Sequence, residues 1–198
     1  MSKILTIYEA LLNRKEKVCS KSDIVEIIHL YNKSLGKISP KNAQWYLSRH
    51  GYIKRIIFNF YYINSMDERN RHFCKFEDKE LLFTVLNKLG LKWYVGLSSA
   101  LYLQGKIWQI PNTLTIINCQ FSGRRIILGL KVRFIKIKED LIFGLKEGKT
   151  RNKVSYFYSK LTKTYLDLAY LKESERLVIL KDTKKYLKKY PSWLHKLI

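Results

Sequence analysis

The 198-residue chain carries 38 lysines and arginines against 16 aspartates and glutamates, giving a net charge of +22 and a pI near 9.9. A hydrophobic content of 46% with 14% aromatics is enough to build folded cores, which excludes an intrinsically disordered chain. A charge imbalance of this size opposes compaction unless a polyanion offsets it, so nucleic acid is the first partner to consider.

A lysine-rich surface that only confers solubility would carry nearly as many glutamates, and this one does not. Cys19, Cys74 and Cys119 stand far apart without a C-x-x-C pair, and the four histidines lack ligand spacing. Neither a disulfide framework nor a metal site is expected, and a reducing, cytoplasmic location fits. No N-terminal signal pattern appears and no apolar run approaches about 18 residues, so neither secretion nor a membrane partner is expected.

Ile4, Ile7, Tyr8 and Leu11 form one apolar face of a first helix. A second helix begins at Ser20, with Asp23 in the capping-box position, carries Ile24, Ile27, Ile28 and Tyr31 on one stripe, and should end near Gly36. For the third, Ser39 is a good N-cap and Pro40 a good first residue. Two stripes then interleave: Ala43, Tyr46, Leu47 and His50 to pack, and Lys41, Gln44, Trp45 and Ser48 to face out. Gly51 stops this helix, and YIKRIIFNFYYI (52–63) reads as a hairpin with Asn59 near its turn.

Three short helices and a hairpin are the order of a winged helix-turn-helix, assigned to residues 1–65. Residues 66–76 lack a period and read as a linker, and 77–198 as a basic domain. The expected fold class is α+β, with a mainly antiparallel C-terminal sheet flanked by helices. That domain opens with a helix at 78–89 and a second within YVGLSSALYLQG (94–105). Strands follow at 113–119, 125–137 and 152–158, then helices from Ser159 to about 171 and from Ser174 to about 189.

The third helix suits a major groove. Lys41 and Arg49 can contact phosphate or guanine, Asn42 and Gln44 can pair with adenine, and Ser48 shares the face. Lys54 and Arg55 on the wing would lie against the backbone. Trp45 suits either stacking on sugar or a thymine methyl, or sealing a dimer or interdomain contact. Every exposed helix face is polar, however, and many small winged domains bind protein instead.

The basic excess extends past this unit, with 24 basic and 10 acidic residues between 76 and 198. Lys181, Lys184, Lys185 and Lys188 fall at i, i+3, i+4, i+7 on the expected last helix, a basic stripe for DNA or an acidic protein. Catalytic patterns are poor. Gly96-Leu97-Ser98-Ser99-Ala100 is one residue short of a nucleophile elbow and lacks the histidine and acid in usual order, so Ser98, Ser99 and Ala100 read as small packing residues. Glu139, Asp140 and Asp167 are the only carboxylates offered for a metal-dependent nuclease or junction-processing protein. No phosphate loop, triad or cofactor motif occurs, so no enzyme is expected.

The order LSSALYLQG, then QIP (109–111), then FG (143–144), then SKLTKTYLDLAYL (159–171) resembles the AbiEi-type antitoxins of type IV toxin-antitoxin systems. The wing-like GYIKRIIFNFYYI adds to it, and the resemblance covers nearly the whole chain. Ser99, Ala100, Leu101, Gly105, Lys163, Thr164 and Asp167 match the family pattern, while Gln104 replaces a common histidine. The resemblance implies a transcriptional regulator that binds double-stranded DNA sequence-specifically and represses its own operon. It also implies a C-terminal domain that neutralises a nucleotidyltransferase-like toxin. Expected partners are thus duplex DNA and a cognate toxin protein, with a second copy in a homodimer if the DNA site is an inverted repeat, since two-fold protein symmetry mirrors such a site. A protein-binding antitoxin module with DNA binding secondary is the alternative.

Overall fold

Ser20 and Asp23 close a reciprocal capping box. The Ser20 amide donates to Asp23 Oδ2 at 2.7 Å and the Asp23 amide to Ser20 Oγ at 3.2 Å. That cap starts the longest helix of a mixed α+β structure with two sheets and nine helices among the described residues. The computed structural model describes residues 3–35, 38–174 and 178–196. The chain divides into two compact units, Met1–Val85 and Leu86–Ile198.

The first unit holds α1 (Lys3–Leu12), β1 (Val18–Ser20), α2 (Lys21–Leu35), α3 (Pro40–Arg49), β2 (Ile53–Arg55), β3 (Phe60–Ile63), α4 (Met66–Asn70) and the start of α5 (Asp78–Lys88). The three helices follow the expected apolar stripes: Ile7, Tyr8 and Leu11 of α1, Ile24 and Ile28 of α2, and Ala43 and Leu47 of α3 share one core. Gly36, the expected end of α2, lies outside the described residues. The strands form an antiparallel sheet in the order β1-β3-β2, with Val18 opposite Tyr62 and Ile53 opposite Ile63. Phe58 and Asn59 both take positive φ, 54° and 89°, the geometry of a turn that matches the strand twist. Strand β1 was not expected, because three residues are too few to show alternation.

Residues 66–76, expected as a linker, contain α4, which the Glu68 carboxylate ties to the sheet. Glu68 is buried and accepts from Tyr62 Oη at 2.6 Å, the Ser65 amide at 2.8 Å and the Lys75 amide at 2.8 Å. Burial pushes this carboxyl up, but the Tyr62 hydroxyl and the Lys75 and Ser65 amides together hold it below the ordinary glutamate value. A lowered value in the fold means that the unfolded chain binds the proton more readily. The stability Glu68 contributes is therefore present above the unfolded value and lost as pH falls through the folded one. Glu68→Gln should accordingly flatten the acid limb of the first unit's stability below the ordinary glutamate range of about pH 4.3, measured by urea unfolding. An unchanged acid limb would show that other carboxylates control it.

The second unit takes the rest of α5, then β4 (Trp93–Val95), α6 (Leu97–Leu103), β5 (Leu114–Asn118), β6 (Gly123–Ile127), β7 (Leu130–Lys136), β8 (Leu145–Lys149), β9 (Ser155–Ser159), α7 (Leu161–Tyr170), α8 (Thr183–Leu187) and α9 (Ser192–His195). Its sheet runs β6-β7-β5-β4-β9-β8, with parallel joins at β5-β7 and β4-β9 and antiparallel joins elsewhere. Leu97 of α6, Ile117 of β5, Ile135 of β7 and Leu166 and Ala169 of α7 meet in its core.

Two expected elements are corrected. The strand at 125–137 is a hairpin, β6 and β7, turning at Leu128 and Gly129 with φ of 54° and 92°. A leucine at positive φ is uncommon, so the turn carries little sequence signal. The helix expected from Ser174 is described as a helix only from Thr183. The Leu180 amide donates to Thr183 Oγ1 at 2.7 Å, a local bond that competes with helix, and 175–177 lie outside the described residues. Among the described residues no helix is long and apolar enough to cross a membrane.

Candidate nucleic-acid interface

Helix α3 has one face buried through Ala43 and Leu47. Its other face exposes Lys41, Asn42, Trp45, Ser48 and Arg49 together, as the two interleaved stripes require. Trp45 is 57% exposed, and the Arg49 guanidinium lies 5.0 Å from its ring centroid, a cation–π pair one turn apart. The indole thus holds Arg49 along the helix while both remain open to a ligand. Arg55 is exposed on β2.

Three expectations change. Gln44 is half-buried and its amide nitrogen donates to Tyr61 Oη on β3, which draws it toward the sheet and away from the open face. The Lys54 ammonium lies 3.3 Å from Asp78 Oδ1, so its charge is partly neutralised within the unit. His50 does not pack in the core. It is exposed, its ring 4.1 Å from that of Tyr46.

The sequence reading missed Arg69. Its Nε donates to the His50 carbonyl at 2.9 Å and its guanidinium sits 4.0 Å from the Tyr52 ring centroid, adding a cation at the end of α3. Its place in an aperiodic, mixed-charge stretch hid it.

In the second unit Lys181, Lys184, Lys185 and Lys188 are all exposed, but only Lys184 and Lys185 lie within α8. The seven-residue spacing therefore does not make one continuous helical stripe. The nuclease carboxylates are also separated in character: exposed Glu139 pairs with Lys92, while Asp167 is buried. Among the described residues no group of three or more His, Cys, Asp or Glu side chains is placed to hold a metal ion.

The residues that carried the family resemblance join α6 to its neighbours. Ser99 Oγ donates to the Thr113 carbonyl at 3.2 Å and accepts from the Thr115 amide at 2.9 Å. Gln104 Nε2 donates to the carbonyls of Ala100 and Ser159, each at 3.0 Å, and Thr164 Oγ1 meets Ser159 Oγ at 2.6 Å. Ser99 and Ala100 are buried as expected, whereas Ser98 is exposed. The turn from β4 into α6 places Leu97, not a serine, at φ 51°.

Lys163 and Asp167 are paired one turn apart on α7, both almost wholly buried. The ammonium also donates to Tyr94 Oη at 3.0 Å and Tyr190 Oη at 2.8 Å, and these hydroxyls donate to Asp167 at 2.8 and 2.7 Å. Burial pulls the Lys163 ammonium's pKa down and Asp167 works against that; burial and the nearby carboxylate push the Tyr94 and Tyr190 hydroxyls up. The quartet thereby ties α7 to the sheet through Tyr94 and to the segment between α8 and α9 through Tyr190.

Comparison with known proteins finds no family model that matches the chain and no curated protein significantly similar to it.

Proposed function

We propose that the first unit is a winged helix-turn-helix that binds duplex DNA sequence-specifically, and that the protein is a transcriptional regulator of the antitoxin-like autorepressor type. The observation that carries this reading is the open face of α3, where Lys41, Asn42, Trp45, Ser48 and Arg49 stand exposed opposite a buried stripe. Helix α3 follows α2 closely and precedes a hairpin, the order in which such folds present a recognition helix and a wing. A net charge of +22 supports a polyanionic partner. The autorepressor role rests on the resemblance to AbiEi-type antitoxins alone.

The test is a gel-shift titration against the protein's own upstream region and a scrambled duplex. The upstream duplex should bind more tightly, and Lys41→Ala or Asn42→Ala should narrow the difference by about 1–3 kcal/mol per lost base contact. Gln44→Ala should cost less discrimination than Asn42→Ala, because Gln44 already bonds Tyr61. Equal affinity for both duplexes would remove the repressor reading.

A further inference from the structure

The helix-covered face of the second unit's sheet carries Ile117 and Ile135 in its core. By the two-residue period, Lys131 and Arg133 of β7 lie on that same face. Their register partners on β6, Ile126 and Arg124, share it too. At this end of the sheet β6 is the edge strand, and the face opens into a trough of about 970 Å³. The segment Lys106–Thr113 forms part of its lining.

The trough's chemistry is one-sided. Lys106, Arg124, Arg125, Lys131 and Arg133 line it, and no carboxylate does. Arg133 is held by Glu173 at 2.7 Å, but Lys106, Arg124 and Lys131 have no acidic partner among the described residues. Arg124 stands directly opposite Arg133, a like-charge pairing that Glu173 relieves on the Arg133 side only. Trp108 is 91% exposed beside them, with Ile126 at 76% and Ile110 at 68%.

We propose that this trough binds a single-stranded nucleic acid, with bases stacked on Trp108 and phosphates held by Lys106, Arg124 and Lys131. A positively charged channel with an open aromatic platform is the general solution for such chains, because every base has a π-face and every linkage a negative charge. Ile110 and Ile126 supply apolar surface beside the ring for the same bases. A protein partner fits less well: protein interfaces are depleted of lysine, and here Lys106 and Lys131 line the trough beside the arginines. The site is built of second-unit residues alone, includes none of the α3 side chains and does not rest on the duplex reading.

Fluorescence anisotropy of the full-length protein with a labelled oligothymidylate of about twelve nucleotides tests this directly. Trp108→Ala should weaken binding about 5- to 150-fold. Arg124→Gln combined with Lys131→Gln should lower the log–log salt slope by about 1.4, and because all three side chains are exposed these variants should fold normally. Lys41→Ala on α3 should leave oligothymidylate binding unchanged, which separates this result from failure of the duplex site. Absent binding, or binding indifferent to both trough variants, overturns the proposal. So does polyglutamate binding of equal strength and equal dependence on Trp108, which would assign the trough to an acidic protein.

Discussion

Asp167→Ala is expected to destabilise the second unit by about 3–5 kcal/mol, read as lost hydrogen-exchange protection of the α7 amides. The cost is large because the Lys163 ammonium it abandons has no route to water. Lys163 is fully buried, and its remaining contacts are two phenol hydroxyls and the rings of Tyr94, Phe143 and Tyr190, with centroids 5.1–5.2 Å away. Those rings attract a cation but do not neutralise it. Replacing Lys163 by Met as well removes the stranded charge, so the double variant should recover part of the loss. A loss below about 1 kcal/mol would mean that the pair is already neutral in the fold, because removing an uncharged hydrogen-bonding partner costs far less.

The second large effect is in DNA binding. Raising salt from about 50 to 200 mM should weaken binding to the upstream duplex by about 10³–10⁵-fold if six to ten phosphates are neutralised, because each contact releases condensed counterions. The structure ranks the wing residues in that slope. Arg55 is exposed, whereas Lys54 already spends part of its charge on Asp78. Arg55→Ala should therefore lower the slope by about 0.9 and Lys54→Ala by less. A slope that stays flat with salt would show that the +22 charge is not directed at DNA.

What was legible in the sequence was local. The stripes of α1, α2 and α3 are set by side chains three and four residues apart, and the Ser20–Asp23 cap by residues three apart, so a short window contains the whole cause. The exposed face of α3 followed from the same period, which is why Lys41, Asn42, Trp45, Ser48 and Arg49 could be chosen without coordinates. The Lys163–Asp167 spacing is likewise visible as a helical pair.

What that pair does was not visible, because Tyr94 and Tyr190 close around it from 73 and 23 residues away. The same distance effect hid the bonds of Gln44 to Tyr61 and Lys54 to Asp78, and the central strand Trp93–Val95, whose partners are β5 and β9. The trough is the extreme case. Lys106–Thr113 and the β6–β7 hairpin come together through parallel pairing of β5 with β7, and β6 is an edge only because nothing described pairs on its other side. By itself the sequence determined the apolar stripes of the first three helices, the Ser20–Asp23 cap and the charge, whereas Ser39 makes no side-chain cap bond and Lys160, not Ser159, precedes α7. Strand order, the partners of charged groups and the open end of the sheet belong to tertiary structure, since pairing register is chosen by the packing of whole faces and no single segment contains that information.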